Sequence, residues 1–287
     1  MSASRTIAPY ERRHPIFDAS MNVLTIVIGA VWLAPFFWML TTALKTMPEI
    51  FQFPPAWLPR SFNLDNFINA WNGAPFASYY INSLLVASVT TVFTVLVSSM
   101  GGYALARLPF PGRSAILGGM LSTTMIPFQV LLIPFFILMT TLRLVNTPWG
   151  LMLAYVAIFL PFAVFMFRAY FMDLPREIEE SARMDGCSWF GVYWRIALPT
   201  ARPAIAAVGI YTFIESWNEF FIALVMTTND SMRTLPVGLA LFNQRGVGVN
   251  WGELMASSMT ATIPAVIVFM IMQRQIIAGL TGGAVKG

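Results

Sequence analysis

Apolar residues gather in six long blocks along this chain, and most of the charge lies in the stretches between them. The blocks run about 21–44, 77–105, 114–139, 148–171, 203–226 and 253–277. Each reaches the roughly 20 mostly apolar residues that a helix needs to cross a bilayer core. The pattern predicts an all-α integral membrane protein with six transmembrane helices between residues 21 and 277. Residues 1–20 and 278–287 are then short tails outside the lipid, and a polar loop, 172–202, joins spans 4 and 5. Segment 45–76 has a different character. Pro48, Pro54, Pro55 and Pro59 break it, Trp57 and Trp71 suit a headgroup boundary, and a short helix is expected near 64–71.

Composition supports the lipid reading. Only 10% of the 287 residues are charged against 57% apolar, too few charges for a water-facing surface of ordinary size. Twelve of the 17 Lys and Arg residues fall on one side of the six-span plan. The other side holds Lys45, Arg60, Arg143, Arg233 and Arg245. The positive-inside rule then puts both termini and the 172–202 loop of this multi-pass protein in the cytoplasm. The net charge of +4 is accounted for by this bias and gives no reason to expect nucleic acid. The first block is too long for the core of a cleaved signal peptide. Cys187 is the single cysteine and His14 the single histidine, so neither an internal disulfide nor a His/Cys metal site is expected. No catalytic constellation stands out.

The 172–202 loop carries clear helix signals. Asp173 can cap a helix with Pro175 in its first turn, and Glu177, Glu179 and Glu180 lie toward the positive end of the dipole. Gly186 supplies the positive φ that stops it. A second helical pattern follows, with Trp189, Val192, Tyr193 and Ile196 on one face, and Pro199 is expected to end it. Two short helices meeting at a glycine make a stiff projection. These signals alone describe an interfacial amphipathic hairpin equally well.

The spacing is more specific. Glu180-Ser181-Ala182, then Arg183-Met184-Asp185, then Gly186, nine residues, and Ile196-Ala197-Leu198-Pro199 resembles the cytoplasmic coupling loop of the membrane subunits of binding-protein-dependent ABC importers. Ser181 departs from the usual Glu-Ala-Ala but is small enough for close packing. The run from Leu174 to Glu180, the Trp217-Asn218-Glu219 triplet and the closing Gly279-Leu280-Thr281-Gly282-Gly283-Ala284-Val285-Lys286-Gly287 look like the carbohydrate branch, with a tail similar to that of the smaller permease of maltose-type systems. The likeness covers essentially the whole chain. It implies that Glu180, Ser181, Ala182, Asp185, Gly186, Ile196, Leu198 and Pro199 dock an ATPase subunit. It further implies that Gly282, Gly283 and Lys286 reach the ATPase interface. The implied partners are a second, different permease, two ATP-binding subunits and an extracytoplasmic sugar-binding protein. ATP and Mg would be bound by the ATPase subunits, with no cofactor in this chain. No Gly-x4-Gly-Lys-Ser/Thr phosphate loop is present, and the only lysines are Lys45 and Lys286, so this chain is expected to be non-catalytic.

Polar residues inside the apolar blocks are the remaining candidates. Glu215 and Glu219 lie four apart, as if on one helical face, with Trp217 and Asn218 between them. An acid at mid-bilayer costs roughly 2.5–3.5 kcal/mol on insertion scales and usually faces a cavity or a partner. Glu215, Asn218 and a stacking Trp217 could line a sugar pathway; a helix–helix polar clamp is the other reading. Gln129 and Asn82 are weaker candidates of the same kind. An amino-acid or peptide permease, an ion-coupled secondary transporter using the two acids, and a membrane enzyme are the rival functions.

Overall fold

The computed structural model describes residues 15–242 and 250–284, and among these every regular element is a helix. They divide into two compact units: Met1–Ile68 with Asn250–Met259, and Asn69–Val249 with Thr260–Gly287.

In the first unit α1 (Pro15–Ala43) is apolar around its whole circumference. Such a helix is covered by a core or by lipid, and here Val31, Trp32 and Leu33 are about two-thirds or more exposed. Beyond it come α2 (Met47–Ile50) and α3 (Asp65–Gly73), the second matching the short helix expected near 64–71. The Asn66 amide donates to the carbonyls of Ala43 and Lys45, 2.8 Å each. The first of these bonds satisfies an acceptor that the end of α1 leaves free.

In the second unit α4 (Phe76–Arg107) and α7 (Pro148–Asp173) pack along one another, and α11 (Arg202–Asn218) lies against both. Small residues make the approach close: Ala87, Thr90, Thr94, Ser98 and Gly102 of α4 are buried, as is usual where membrane helices meet. At Gly102 the contact reaches the main chain. A Cβ there would sit 2.6 Å from Phe167 Cβ and 2.8 Å from the Arg168 nitrogen, so only glycine fits.

Two apolar blocks are not single straight helices. Block 114–139 is split into α5 (Arg113–Thr124) and α6 (Phe128–Thr141), which meet at 100°. Pro127 donates no N–H and disfavours helical geometry in Ile126, a break that apolarity alone does not register. Block 203–226 is split as well. Helix α11 ends at Asn218, Glu219 is extended (φ −64, ψ 127), and α12 (Phe221–Met226) follows. Three further elements, α8 (Arg176–Met184), α9 (Trp189–Val192) and α10 (Leu198–Thr200), build the 172–202 loop, and α13 (Leu235–Phe242) and α14 (Trp251–Ala284) close the described chain. Among the described residues four helices are long and apolar enough to span a membrane, or up to six if the bent pairs 113–124 with 128–141 and 189–200 with 202–218 are each counted as one span.

Candidate functional site

The 172–202 loop folds into a two-armed elbow. Asp173, expected to cap α8, is instead the last residue of α7, and Pro175 occupies the position before α8. With no N–H to satisfy, proline suits this place. Glu179, read from the sequence only as a charge favourable to the helix dipole, has a buried partner that sequence reading missed. Its side chain is 7% exposed, and its Oε1 accepts from Arg107 Nε at 2.9 Å. The Tyr103 hydroxyl donates to Oε2 at 3.3 Å, and Arg107 Nη2 donates to the Leu174 carbonyl at 2.7 Å. Arg107 is the last residue of α4, so one guanidinium ties the end of that helix to both α8 and its lead-in. The neighbouring Glu180, one helical step of about 100° around, is exposed.

The corner itself is closed by hydrogen bonds at Gly186, φ +86. The Cys187 N–H donates to the Ala182 carbonyl at 3.0 Å and the Gly186 N–H to the Arg183 carbonyl at 3.1 Å, the paired pattern of a Schellman cap. Arg183 spans the bend, donating to the Cys187 carbonyl at 2.9 Å while lying 4.8 Å from the Trp189 ring centre. Ser188 then caps α9 through the Gly191 N–H, 3.1 Å.

The second arm is anchored from beneath. Val192, Tyr193 and Ala197 are buried in a cluster with Tyr103, Phe167 and Phe171, and the Tyr193 and Ser99 hydroxyls are 2.7 Å apart. Residues Tyr193–Ala197 form a π-helical turn. Pro199 does not end this helix, as expected, but sits within α10; the bend of 76° comes after Thr200, at the junction with α11. Of the proposed docking residues, Glu180, Ser181, Asp185, Gly186 and Pro199 are exposed, and Ala182, Ile196 and Leu198 are half-buried. Around them the elbow also exposes Met184, 89% accessible, with Ile178, Phe190 and Trp194.

The intramembrane candidates separate. Glu215 and Gln129 line one cleft of about 580 Å³ together with Thr123, Thr124, Phe162 and Tyr211. The aromatic members of this wall escaped sequence reading, because Phe occurs in every apolar block and Tyr in three of them. Trp217, a candidate either for stacking on a sugar or for a helix–helix clamp, is buried: it stacks on Phe213 and donates through Nε1 to the Ala261 carbonyl at 3.1 Å. Glu219 does not share a face with Glu215, since α11 has already ended. Its carboxylate accepts from the Tyr155 hydroxyl at 2.7 Å and from the N–H groups of Ile222 and Ala223 at 2.8 and 3.0 Å, capping α12. Asn218 bonds back to the Ile214 carbonyl at 2.9 Å. Asn82 donates to the Ser231 and Arg233 carbonyls at 2.8 and 3.0 Å, holding a loop rather than facing the cleft. Gly282 and Gly283, expected in a tail, lie in the last turn of α14; Lys286 is outside the described residues.

Long apolar helices with exposed apolar faces, two of the apolar blocks broken, define a multi-pass membrane protein. Residues 98–282 match the family described as the binding-protein-dependent transport system inner membrane component, and the chain belongs to that family. It is 34% identical over 255 residues to the sulfoquinovosyl glycerol transport system permease protein SmoH of Agrobacterium fabrum, covering 89% of each chain. It is 34% identical over 266 residues to the diacetylchitobiose uptake system permease protein DasC of Streptomyces coelicolor, covering 93% of this chain and 96% of that one. The fold is shared with a chain in the crystal structure of a bacterial ABC transporter involved in import of the acidic polysaccharide alginate, at a TM-score of 0.79 and 22% identity, covering 93% of this chain and 99% of that one.

Proposed function

We propose that this chain is the membrane permease of an ATP-driven importer of sugars, and that its elbow is the coupling element. The observation that carries the reading is that Glu180 and a set of apolar side chains stand exposed on an elbow whose other face is clamped by the buried Arg107–Glu179 pair. A surface that must pass on a push needs a stiff base and a free face, and this one has both. Relatives named for sulfoquinovosyl glycerol and diacetylchitobiose support a carbohydrate substrate.

In this reading the chain crosses the membrane six times, α5 with α6 and α11 with α12 each forming one broken span, with both termini and the elbow cytoplasmic. A second, different permease completes the pathway, and an extracytoplasmic binding protein delivers the sugar. Two partner subunits bind ATP and Mg and perform the hydrolysis, so this chain itself is non-catalytic. Glu180, Ser181, Ala182, Asp185 and Gly186 meet the ATPase, with Ile196, Leu198 and Pro199 setting the second arm; Gly282, Gly283 and Lys286 reach the same interface. Closure of the ATPase pair moves the elbow, and the spans shift between two states biased by ligands. Glu215 and Gln129 offer hydrogen bonds to sugar hydroxyls, with ring faces beside them in the cleft.

The test is sugar-stimulated ATP hydrolysis and uptake in the reconstituted complex, comparing wild type with Glu180→Ala and Gly186→Pro. Loss of coupling with the membrane subunits still assembled supports the reading. Uptake by this chain without an ATPase, indifferent to both substitutions, overturns it in favour of a secondary transporter.

A further inference from the structure

A second cavity, of about 220 Å³, lies at the far end of α1. Trp38 and Thr42 of α1, Lys45 beyond it and Glu49 of α2 all contribute to its wall. Lys45 is only 2% exposed. Its ammonium donates to the Ala56 carbonyl at 2.5 Å and lies 4.6 Å from the centre of the Trp38 ring. The carbonyl takes one of its three N–H donors, and among the described residues Lys45 makes no ion pair. Burying a cation in this way is costly unless an anion joins it. The strain registers in its proton affinity: burial lowers the Lys45 pKa from its ordinary value, against the opposing pull of Glu49.

Two more groups are poised at the same wall. The hydroxyl of Thr42, a residue 6% exposed, has no hydrogen-bond partner among the described residues. Glu49 spends one carboxylate oxygen on the Thr46 N–H at 3.3 Å and brings a negative charge. A cation with spare donors, an idle hydroxyl and a separate carboxylate match a ligand that carries a phosphate and an ammonium together.

We propose that this cavity binds the headgroup of a zwitterionic phospholipid of the phosphatidylethanolamine class, its phosphate on Lys45 and Thr42 and its ammonium on Glu49. Position selects a lipid over a soluble zwitterion. The apolar side chains of α1 are exposed along the helix that leads to the cavity, a track for acyl chains. Trp38 and Trp57 meet edge-to-face at 5.3 Å beside it, and Trp251 joins the wall; tryptophan is the side chain enriched at headgroup depth. Glu49 disfavours a purely anionic headgroup, and a choline group has no N–H to give it.

The experiment is native mass spectrometry and thermal unfolding of the full-length chain, purified in detergent with the subunits it assembles with and delipidated. Phosphatidylethanolamine, phosphatidylcholine, phosphatidylglycerol and soluble phosphoethanolamine are added separately. Phosphatidylethanolamine should be retained in preference and raise the unfolding midpoint. Thr42→Val and Glu49→Gln should each weaken retention several-fold, and Lys45→Met should abolish it. Thr42→Val removes one oxygen from an unbonded group, so it decides the matter even where Lys45→Met fails to fold. Equal retention of the three lipids, or unchanged retention in the Thr42 and Glu49 variants, overturns the proposal. Equal stabilisation by soluble phosphoethanolamine overturns the lipid assignment and leaves an adventitious or soluble ligand.

Discussion

Glu179 and Glu180 are consecutive residues that face opposite environments: the first is buried against Arg107 and the second is open to solvent. One helical step separates a carboxylate that holds the elbow in place from a carboxylate free to meet another surface. Substitutions at the two should therefore fail in different ways.

Removing either member of the Arg107–Glu179 pair leaves a buried charge uncompensated, at a cost of about 3–5 kcal/mol. Glu179→Gln and Arg107→Met should each lower the thermal midpoint of the purified chain and loosen the elbow to limited proteolysis. The double variant Arg107→Met with Glu179→Leu should recover much of that loss, since an apolar pair of similar volume avoids the desolvation penalty.

Glu180→Ala touches no buried contact, so its effect on stability should stay within about 0.5 kcal/mol. Co-purification of the ATPase subunits and sugar-stimulated hydrolysis should nonetheless fall. A large drop in the unfolding midpoint would mark Glu180 as structural instead.

Gly186→Ala keeps space but not conformation. No atom lies within 4 Å of the added Cβ, while φ is +86, so the penalty is the left-handed backbone alone, roughly 1–2 kcal/mol. Gly102→Ala has the opposite signature, an allowed helical backbone with a Cβ driven into Phe167. Thermal scans should show the larger loss at Gly102.

Glu215→Gln should change the apparent affinity for sugar in transport assays with little change in stability, because the carboxylate lines the cleft. Trp217→Phe should do the reverse. It loses one buried hydrogen bond to Ala261, worth about 1 kcal/mol, and leaves affinity unchanged.

What could be read from the chain follows the range of the interactions. The apolar blocks, the stop at Gly186 and the short helix near 64–71 depend on neighbours a few residues away, and each was legible. Arg107 and Glu179 are 72 residues apart, and nothing local distinguishes Glu179 from Glu177 or Glu180. The break at Pro127 hides in continuous apolarity. Glu215 and Glu219 misled for a related reason: spacing of four implies one face only while the helix lasts, and α11 stops before Glu219. Trp217 reads as a sugar platform or as packing until the position of Ala261 is known.

The contact at Gly102 has a mechanical consequence. With main chain against side-chain stem there, α4 cannot slip along α7 and the two must tilt as one body. Helix α4 has 32 residues, a lever arm of about 48 Å at 1.5 Å per residue. Its short end is gripped by the elbow through Arg107. A tilt of roughly 5° about the Arg107 end would carry the far end about 4 Å, so under the proposed coupling a small rotation at the elbow suffices for a displacement of side-chain size at the other end of α4.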